Sequence, residues 1–239
     1  MSNTWFQFKQ FTIHQDRCGM KVSTDACIQG AWVPILPQVR QVLDIGAGTG
    51  LLSLMLAQRN SDVYIDAIEL DEAAAAQAKE NVASSPWAER INVVQGDVRK
   101  YPFPTTYDMI ICNPPFFDDS LQSADSSRNN ARHNVALSKE DIIALAGGLL
   151  RDEGYLAIML PVAEHVKLER MLSQNNWRIF QSLHVLPKAG QQANRIISLA
   201  CRHTHHDTSS TTGALQIKDE DGRYRPEFIQ LLHPFYLFL

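Results

Sequence analysis

The sequence has few cysteines, and none of them are paired at a metal-ligand spacing. Its 4 cysteines, Cys18, Cys27, Cys112 and Cys201, are spread over 239 residues, which argues against a disulfide framework or a zinc site and favours reduced thiols in the cytoplasm. No apolar run approaches the ~20 residues that span a bilayer. The opening MSNTWFQFKQ also lacks the regions of a signal peptide. We therefore expect a cytoplasmic protein without membrane segments or bound metal.

The sequence also lacks an excess of positive charge. Lys and Arg total 22 against 26 Asp and Glu, which gives a net charge of −4. Such a chain is not a bulk polyanion binder, although a local basic patch can still contact nucleic acid. The hydrophobic fraction of 45% is that of an ordinary globular protein. We expect a single domain over 1–239, with a core over 41–239 and an N-terminal segment over 1–40.

From Gln41 onward, strand-like apolar runs alternate with helix-like segments. The strand-like runs are QVLDI, VYIDAIE, INVVQGD, YDMIICNPP and EGYLAIMLP, and Asp71 and Ser138 are suited to begin helices. This alternation predicts right-handed βαβ units in an open, mostly parallel α/β sheet. WRIFQSLHVL and NRIISLACR then follow with only a loop between them. They predict an antiparallel hairpin at one edge of a seven-stranded sheet.

Two segments differ from this pattern. The polar HTHHDTSSTTG at 203–213 predicts an exposed loop. Its histidines do not share one helix face and no carboxylate cluster accompanies them, which argues against a metal site there. The apolar FIQLLHPFYLFL is short, and we expect it to pack against the core. A membrane or partner contact is the alternative for this second segment.

The most informative motif is the glycine-rich turn Asp44-Ile-Gly46-Ala-Gly48-Thr-Gly50, which lies between a strand and a helix. Open α/β sheets bind ligands at the carboxyl ends of their strands, where this turn falls. Glycine lets the backbone turn sharply and approach a ligand closely. The spacing is not the G-x-G-x-x-G of nicotinamide or flavin sites. The acid at 44 favours a ligand with an ammonium group over a pyrophosphate.

Acids also end the next two strands. Glu69 can accept the hydroxyls of a ribose. Asp97, with Val98 beside it, can accept the amine of an adenine. A cationic head, a ribose and an adenine without phosphate describe S-adenosylmethionine. The alternative is that each acid is merely a solvated residue at a strand end.

The fourth strand ends in Asn113-Pro114-Pro115-Phe116. The two prolines restrict the backbone and lack N–H donors. The side-chain oxygen of Asn113 and the carbonyl oxygen of Pro114 can both accept from one planar NH₂ group, which directs its lone pair at an electrophile. Phe116 offers a face on which a base can stack. These four residues predict direct methyl transfer to an amino nitrogen; a proline-rich loop with a buried Phe is the alternative.

The motifs D-I-G-A-G-T-G and N-P-P-F, in this order, resemble those of class I, Rossmann-like S-adenosylmethionine-dependent methyltransferases. FKQFTIHQDRCGMKVSTDACIQGAW, SPWAERINV and FYLFL are similar to bacterial methyltransferases that modify N6 of adenosine 37 in a valine tRNA. The resemblance implies a cytoplasmic enzyme that uses S-adenosylmethionine and tRNA. It also implies that Lys21, Thr24 and Asp25 close over the methionine end of the cofactor.

An adenosine in an anticodon loop is unpaired and easily splayed out, so the protein needs mainly phosphate contacts around the pocket. Each basic residue that could supply one could equally be a solvated surface charge, and no obligate protein partner is expected. The basic residues expected to contact RNA are Lys9, Arg17, Lys21, Arg128, Arg132, His133, Lys188, Arg195 and Arg202.

Four other functions are open at this point. Enzymes that methylate N2 of guanine in ribosomal RNA share N-P-P-F but usually carry a second domain. Enzymes that methylate a release-factor glutamine prefer tyrosine after the prolines and add a helical N-terminal domain. A nicotinamide oxidoreductase would need the other glycine spacing. A non-catalytic RNA-binding module would have no use for the three acids.

Overall fold

A computed structural model describes residues 3–114, 137–203 and 210–239 of the chain. The strands in these ranges are β1 (Trp5–Gln7), β2 (Thr12–His14), β3 (Gln41–Ile45), β4 (Tyr64–Glu69), β5 (Ile91–Gln95), β6 (Tyr107–Cys112), β7 (Leu150–Pro161), β8 (Trp177–Lys188), β9 (Arg195–Arg202) and β10 (Thr211–Lys218). The helices are α1 (Thr24–Trp32), α2 (Leu51–Arg59), α3 (Glu72–Ala83), α4 (Lys139–Leu149), α5 (Val162–Gln174) and α6 (Pro226–Leu232), with a 3-10 turn at Ala88–Arg90.

Eight strands form one sheet in the order β10-β8-β9-β7-β6-β3-β4-β5. Strands β3 to β7 are parallel to their neighbours among themselves, whereas β9 is antiparallel to both β7 and β8. The predicted α/β class with a mostly parallel sheet is confirmed. The carboxyl ends of β3 to β8 and the first residue of β9 therefore lie together, at what we call the carboxyl edge of the sheet.

The sheet has one strand more than the sequence predicts. The expected hairpin of β8 and β9 forms, but β10 runs parallel to β8 on its far side and takes the edge position. Thr211–Gly213 open this strand, so the expected loop over 203–213 is wrong for these three residues, and 204–209 lie outside the described residues. Local sequence misses β10 because its first residues are polar or small and exposed, as edge strands often are, and its partner is distant in sequence.

Helices cover both faces of the sheet. Alternation along β3 directs Val42 into a core shared with α1, α2 and α6, and directs Leu43 and Ile45 into a second core shared with α4 and α5. None of the helices in the described ranges is both long and apolar enough to cross a membrane.

Both helix starts expected from sequence form hydrogen-bonded caps. The side chain of Asp71 accepts from the backbone N–H of Ala74 at 2.8 Å. Ser138 and Asp141 form a reciprocal capping box, in which each side chain accepts from the other residue's backbone N–H. These caps fix where α3 and α4 leave the carboxyl edge.

The N-terminal segment is attached to residues near the C-terminus. The backbone N–H of Lys9 donates to the Phe235 carbonyl at 2.8 Å, and its ammonium group donates to the His233 carbonyl at 2.5 Å. Phe8 pairs with Tyr236 in an antiparallel bridge. The first strands of the chain are thus held by a segment more than two hundred residues away.

The apolar C-terminal segment packs on the core, as its composition predicts. Phe228, Leu232 and Phe235 are buried in the core shared with α1 and α2. Only the final residues depart from this, since the Phe238 side chain is 89% exposed.

Asp108 joins three strands at the edge of the sheet opposite the carboxyl edge. One carboxylate oxygen accepts from the backbone N–H groups of Arg40 and Gln41, each at 2.8 Å. The other lies 2.5 Å from the guanidinium of Arg151. The residue is only 9% exposed, so its removal leaves two backbone donors and a partly buried cation without this acceptor.

We predict that Asp108→Ala lowers the free energy of unfolding by about 3 kcal/mol, because buried donors lose a charged acceptor. Urea unfolding at neutral pH measures the change. Asp62→Ala is the matched control: Asp62 also lies near Arg40, at 3.8 Å, but is exposed, so we expect a change of at most ~0.5 kcal/mol. Equal losses in the two variants would contradict this role of Asp108.

Candidate active site

The turn after β3 has the conformation that its glycines predict. Gly46, Gly48 and Gly50 have φ values of 72°, 55° and 82°, in the left-handed region that glycine adopts without strain. The backbone N–H of Gly46 donates to the Ile68 carbonyl at the end of β4. The turn is therefore fastened to the neighbouring strand at the carboxyl edge.

Glu69, the expected ribose acceptor, also holds this turn. Its two carboxylate oxygens accept from the backbone N–H groups of Gly48 and Asp71, at 2.8 and 2.9 Å. Each oxygen has a second lone pair, so both can still accept from the hydroxyls of a ligand. The side chain is oriented by bonds that leave this capacity intact.

Asp44 lies beneath the turn and is 0% exposed. The hydroxyl of Ser53 on α2 donates to its Oδ2 atom at 2.7 Å, whereas its Oδ1 atom is buried with no hydrogen-bond partner among the described residues. Burial raises the pKa of Asp44 to about 6, and the bond from Ser53 opposes the rise. A cationic donor from a ligand would supply what Oδ1 lacks.

Asp97, the expected adenine acceptor, is already engaged by Arg99. The guanidinium donates to both carboxylate oxygens at 2.9 Å, which lowers the pKa of Asp97. An adenine amine would share this acceptor with Arg99, a residue that the sequence did not single out although it is only two positions away. Val98, next to it, is buried. Within the described ranges no group of three metal-ligating side chains occurs.

The expected catalytic segment Asn113-Pro114-Pro115-Phe116, which we call the corner, begins where β6 ends. Cys112 pairs with Ile45 on β3 and with Ile158 on β7, so the next residue, Asn113, lies beside the glycine turn. Asn113 is partly exposed and Pro114 is buried. Pro115 and Phe116 lie outside the described residues. Cys112 is in the core, as alternation predicts, and burial raises the pKa of its thiol.

A side chain that the sequence did not single out contacts this corner. The amide nitrogen of Gln29, on α1, donates to the Cys112 carbonyl at 3.0 Å, and Gln29 is 0% exposed. Gln29 could have been noticed in the sequence, because it is a polar residue inside the apolar helical run ACIQGAW and a buried polar side chain is unusual.

Two of the three residues expected to close over the cofactor lie against other parts of the chain. Lys21 donates to the Asn3 carbonyl at 2.8 Å, within the N-terminal segment itself, whereas Thr24 lies near the hydroxyl of Tyr236. Asp25 lies 3.3 Å from the guanidinium of Arg195. Burial raises the pKa of Asp25, and the charge of Arg195 opposes this. A residue expected at the cofactor is thus paired with one expected at the RNA.

The expected RNA-binding residues that the structure describes do not form one patch. Arg195, opposite Pro161 of β7, and Lys188, at the end of β8, lie at the carboxyl edge. Arg202 pairs with Trp177 at the other end of these strands and donates to the Gly147 carbonyl, so it cannot extend the patch. Arg128, Arg132 and His133 lie outside the described residues.

Two N-terminal residues of that set are used in packing. Lys9 donates to the His233 carbonyl, and Arg17 forms an ion pair with Glu80 on α3. Their charges therefore hold the N-terminal segment in place.

We predict that the stability of the protein depends on the proton of Asp44. Between about pH 4 and 6 the folded protein retains a proton that the unfolded chain has released, so this group makes the free energy of unfolding fall as pH rises. A pKa raised from 3.8 to about 6 corresponds to about 3 kcal/mol lost by pH 7. Urea unfolding of wild type and Asp44→Asn should show the variant gaining this much relative to wild type between about pH 4 and 7.

Asp97→Asn is the control for the direction in which stability changes with pH. The pKa of Asp97 is lowered, so its contribution to the free energy of unfolding is complete above about pH 4 and is lost only below that pH. This variant should therefore lose stability relative to wild type as pH rises toward about 4, and the difference should stay level between about pH 4 and 7, where Asp44→Asn gains. A difference between wild type and Asp44→Asn that does not change with pH would contradict the prediction.

Solved structures with the same fold are methyltransferases. A protein from Agrobacterium tumefaciens described as a predicted O-methyltransferase superposes with a TM-score of 0.63, covering 88% of this chain and 96% of its own at 17% identity. The glycopeptide N-methyltransferase MtfA, solved with S-adenosyl-L-methionine, gives a TM-score of 0.54 over 77% of this chain and 96% of its own, at 13% identity. At these identities the likeness supports the fold alone.

Curated relatives are similar over nearly the whole chain. Proteins named tRNA1(Val) (adenine(37)-N6)-methyltransferase are 42% identical in Aeromonas salmonicida, over 98% of both chains, and 40% identical in Bacteroides thetaiotaomicron, over the full length of both. These names confirm the resemblance found in the motifs. The sequence pattern of the family described as Methyltransferase small domain matches residues 31–191. The chain therefore belongs to the methyltransferase small domain family.

Proposed function

We propose that the protein transfers a methyl group from S-adenosylmethionine to the N6 amine of adenosine 37 in the anticodon loop of a valine tRNA. The observation that carries this proposal is the Asn113–Pro114 corner, which ends the strand adjacent to the glycine turn. Relatives about 40% identical over nearly the whole chain carry the name of this activity. The same relatives favour it over methylation of guanine N2 or of a glutamine amide.

The acids of the carboxyl edge fit S-adenosylmethionine. Oδ1 of Asp44 is a buried acceptor with no partner in the described ranges, as a ligand ammonium group would require. Glu69 is oriented by Gly48 and retains lone pairs for ribose hydroxyls. The left-handed glycine turn admits a ligand close to the backbone. When bound, the cofactor supplies an electrophilic methyl group.

The corner residues orient the nucleophile. The side-chain oxygen of Asn113 and the carbonyl oxygen of Pro114 accept the two hydrogens of the adenine amine, which turns its lone pair away from the ring and toward the methyl group. The same two oxygens stabilise the positive charge that develops on nitrogen. The amine attacks in line without a covalent enzyme intermediate, and the proton then leaves to water. In this proposal Phe116 stacks on the base and Pro115 stiffens the corner.

The arrangement of charge along the carboxyl edge suits a cofactor at one end and RNA at the other. Asp44 and Glu69 lie at the ends of β3 and β4, and Asp97 follows β5, whereas Arg195 and Lys188 lie on β9 and β8. The corner on β6 is between the two groups. We propose that Lys188 and Arg195, together with Arg128, Arg132 and His133, contact phosphates of the anticodon arm.

The N-terminal segment, 1–40, completes the pocket in this proposal. The ion pair of Asp25 with Arg195 joins the start of α1 to β9, and Thr24 lies near Tyr236 in the C-terminal segment. The chain would then act as one unit over 1–239, in the cytoplasm, where its tRNA substrate is found.

We predict that Asn113→Ala lowers kcat by about 10²–10³-fold with both substrates saturating, as loss of one hydrogen bond to a developing charge typically does. Methylation of an unmodified valine tRNA transcript, digested and analysed by mass spectrometry, measures both the rate and the product. The expected product is N6-methyladenosine at position 37.

Asn92→Ala is the control, since Asn92 lies near the start of edge strand β5, away from the carboxyl edge, and its side chain donates to Asp66. It should retain wild-type kcat. Wild-type turnover by Asn113→Ala would show that the corner takes no part in the reaction. Methylation of a guanosine or of a protein glutamine instead of adenosine 37 would contradict the proposed function.

We also predict that Arg195→Ala weakens tRNA binding and lowers the slope of log Kd against log salt by about 1, as loss of one phosphate contact should. Binding of the transcript at several salt concentrations measures this slope. Arg202→Ala is the matched control, because Arg202 lies at the opposite end of the same strand. A slope that changes equally in both variants, or in neither, would contradict an RNA contact at Arg195.

A further inference from the structure

We propose that Gln29 is a positioning residue that holds the catalytic corner in its productive orientation; this inference rests on the proposed function. The amide nitrogen of Gln29 donates to the Cys112 carbonyl at 3.0 Å, and both residues are buried. Cys112 immediately precedes Asn113, so the contact is made one peptide unit from the residue that binds the amine.

This bond fixes a peptide plane that the corner cannot fix by itself. The Cys112 carbonyl and the backbone nitrogen of Asn113 belong to one planar unit, so holding the carbonyl restricts the direction in which Asn113 leaves the strand. Pro114 and Pro115 have no N–H groups with which to pin the corner to neighbouring backbone. A donor from outside the strand is therefore needed, and Gln29 supplies one.

Helix α1 presents Gln29 from a rigid position. A Cβ atom on the next residue, Gly30, would lie 2.7 Å from the sulfur of Met55, so α1 and α2 are in close contact here. The guanidinium of Arg59 donates to the Gly30 and Val33 carbonyls at 2.8 and 2.7 Å. The helix cannot shift at Gln29 without breaking these contacts.

The other half of the amide argues against a purely structural role. A carbonyl only accepts, so the amide nitrogen of Gln29 must face Cys112 and its Oε1 atom must face away. That oxygen is buried without a hydrogen-bond partner among the described residues, which is unfavourable for folding. An apolar side chain of similar shape would remove this oxygen but would leave the Cys112 carbonyl without this donor, so the two effects on folding stability oppose each other and the glutamine brings no clear net gain in stability.

The same helix face contacts a second component of the site. Asp25 and Gln29 are four residues apart and lie on one face of α1. Asp25 pairs with Arg195 on β9, and Gln29 bonds the end of β6, so this face extends past β7 along the carboxyl edge. Through α1 the closing segment and the corner are mechanically joined.

Gln29→Met tests the proposal, because methionine has similar length but neither donates nor accepts strongly. With S-adenosylmethionine and valine tRNA transcript saturating, kcat should fall by about 10-fold to 100-fold, the scale on which a displacement of ~1 Å acts. The Kd for S-adenosylmethionine should stay within about twofold of wild type. Tm should change little, because the variant removes the unsatisfied Oε1 acceptor while the Cys112 carbonyl loses this donor, and the two effects oppose each other.

Gln29→Glu separates positioning from packing. A protonated carboxyl can still donate to the Cys112 carbonyl, whereas a carboxylate would repel it, and burial raises the pKa of such a group. The ratio of variant to wild-type kcat should therefore rise as pH falls from about 8 to about 5.5. Taking the ratio cancels the titration of Asp44 and other groups common to both enzymes. Loss of packing alone would leave the ratio flat.

Gln58→Met is the matched control. Gln58 also donates to a backbone carbonyl, that of Pro234 at 2.9 Å, and within the part of the chain that the structure describes its oxygen is also buried without a partner. It lies near the end of α2, away from the corner. It should retain wild-type kcat. A Gln29→Met enzyme with wild-type kcat, or one that loses Tm and cofactor binding along with activity, would overturn the proposal.

A measurement made without catalysis distinguishes a failure of this inference from a failure of the proposed function. In isotope-labelled protein, the carbonyl signal of Cys112 and the side-chain amide signals of Asn113 should shift or broaden in Gln29→Met and not in Gln58→Met. If wild type methylated no tRNA but these shifts occurred, the function would be wrong and the positioning role would stand. If wild type were active and the signals were unchanged in Gln29→Met, the positioning role would be wrong.

Discussion

The parallel register of β3 with β4 and β6 determines which residues lie side by side at the carboxyl edge of the sheet. Ile45 pairs with Ile68 on one side and with Cys112 on the other, so the residues that follow these three emerge at one level. Glu69 then reaches across to Gly48, which fastens the end of β4 to the turn after β3. A slip of one residue in either pairing would reverse the alternation and direct Asp44 away from Ser53.

What local sequence encodes was predictable, and what depends on distant partners was not. Strands β3 to β9, the two helix caps and the glycine turn follow from alternation, capping residues and positive φ. The strand β10 was missed because only its pairing with β8 distinguishes it from a loop. The residue types at 44, 69 and 97 were found, but not the partners Ser53 and Arg99, because a sequence does not say which side chain meets a carboxylate. Gln29 had a signal in its apolar surroundings, yet only the fold reveals that it meets Cys112.

Helix α1 connects parts of the chain that the motifs treat separately. Its first residues belong to the segment expected over the cofactor, its Asp25 pairs with Arg195, and its Gln29 bonds the end of β6. In the sheet, the strands that end near the acids (β3, β4 and β5) and the strands that carry Arg195 and Lys188 (β9 and β8) lie on either side of β6 and β7. In the proposed mechanism, the corner and the N-terminal segment would therefore be coupled by one short rigid element.

The attachment of Lys9 to His233, across a sequence separation of 224, has a consequence for biosynthesis. Contacts this distant close late, because the loop between them must be ordered first. During translation the sheet can begin to assemble while the N-terminal strands wait, and they can dock only after residue 233 has left the ribosomal exit tunnel. A nascent chain would therefore carry every motif of the proposed active site before its N-terminal strands could dock.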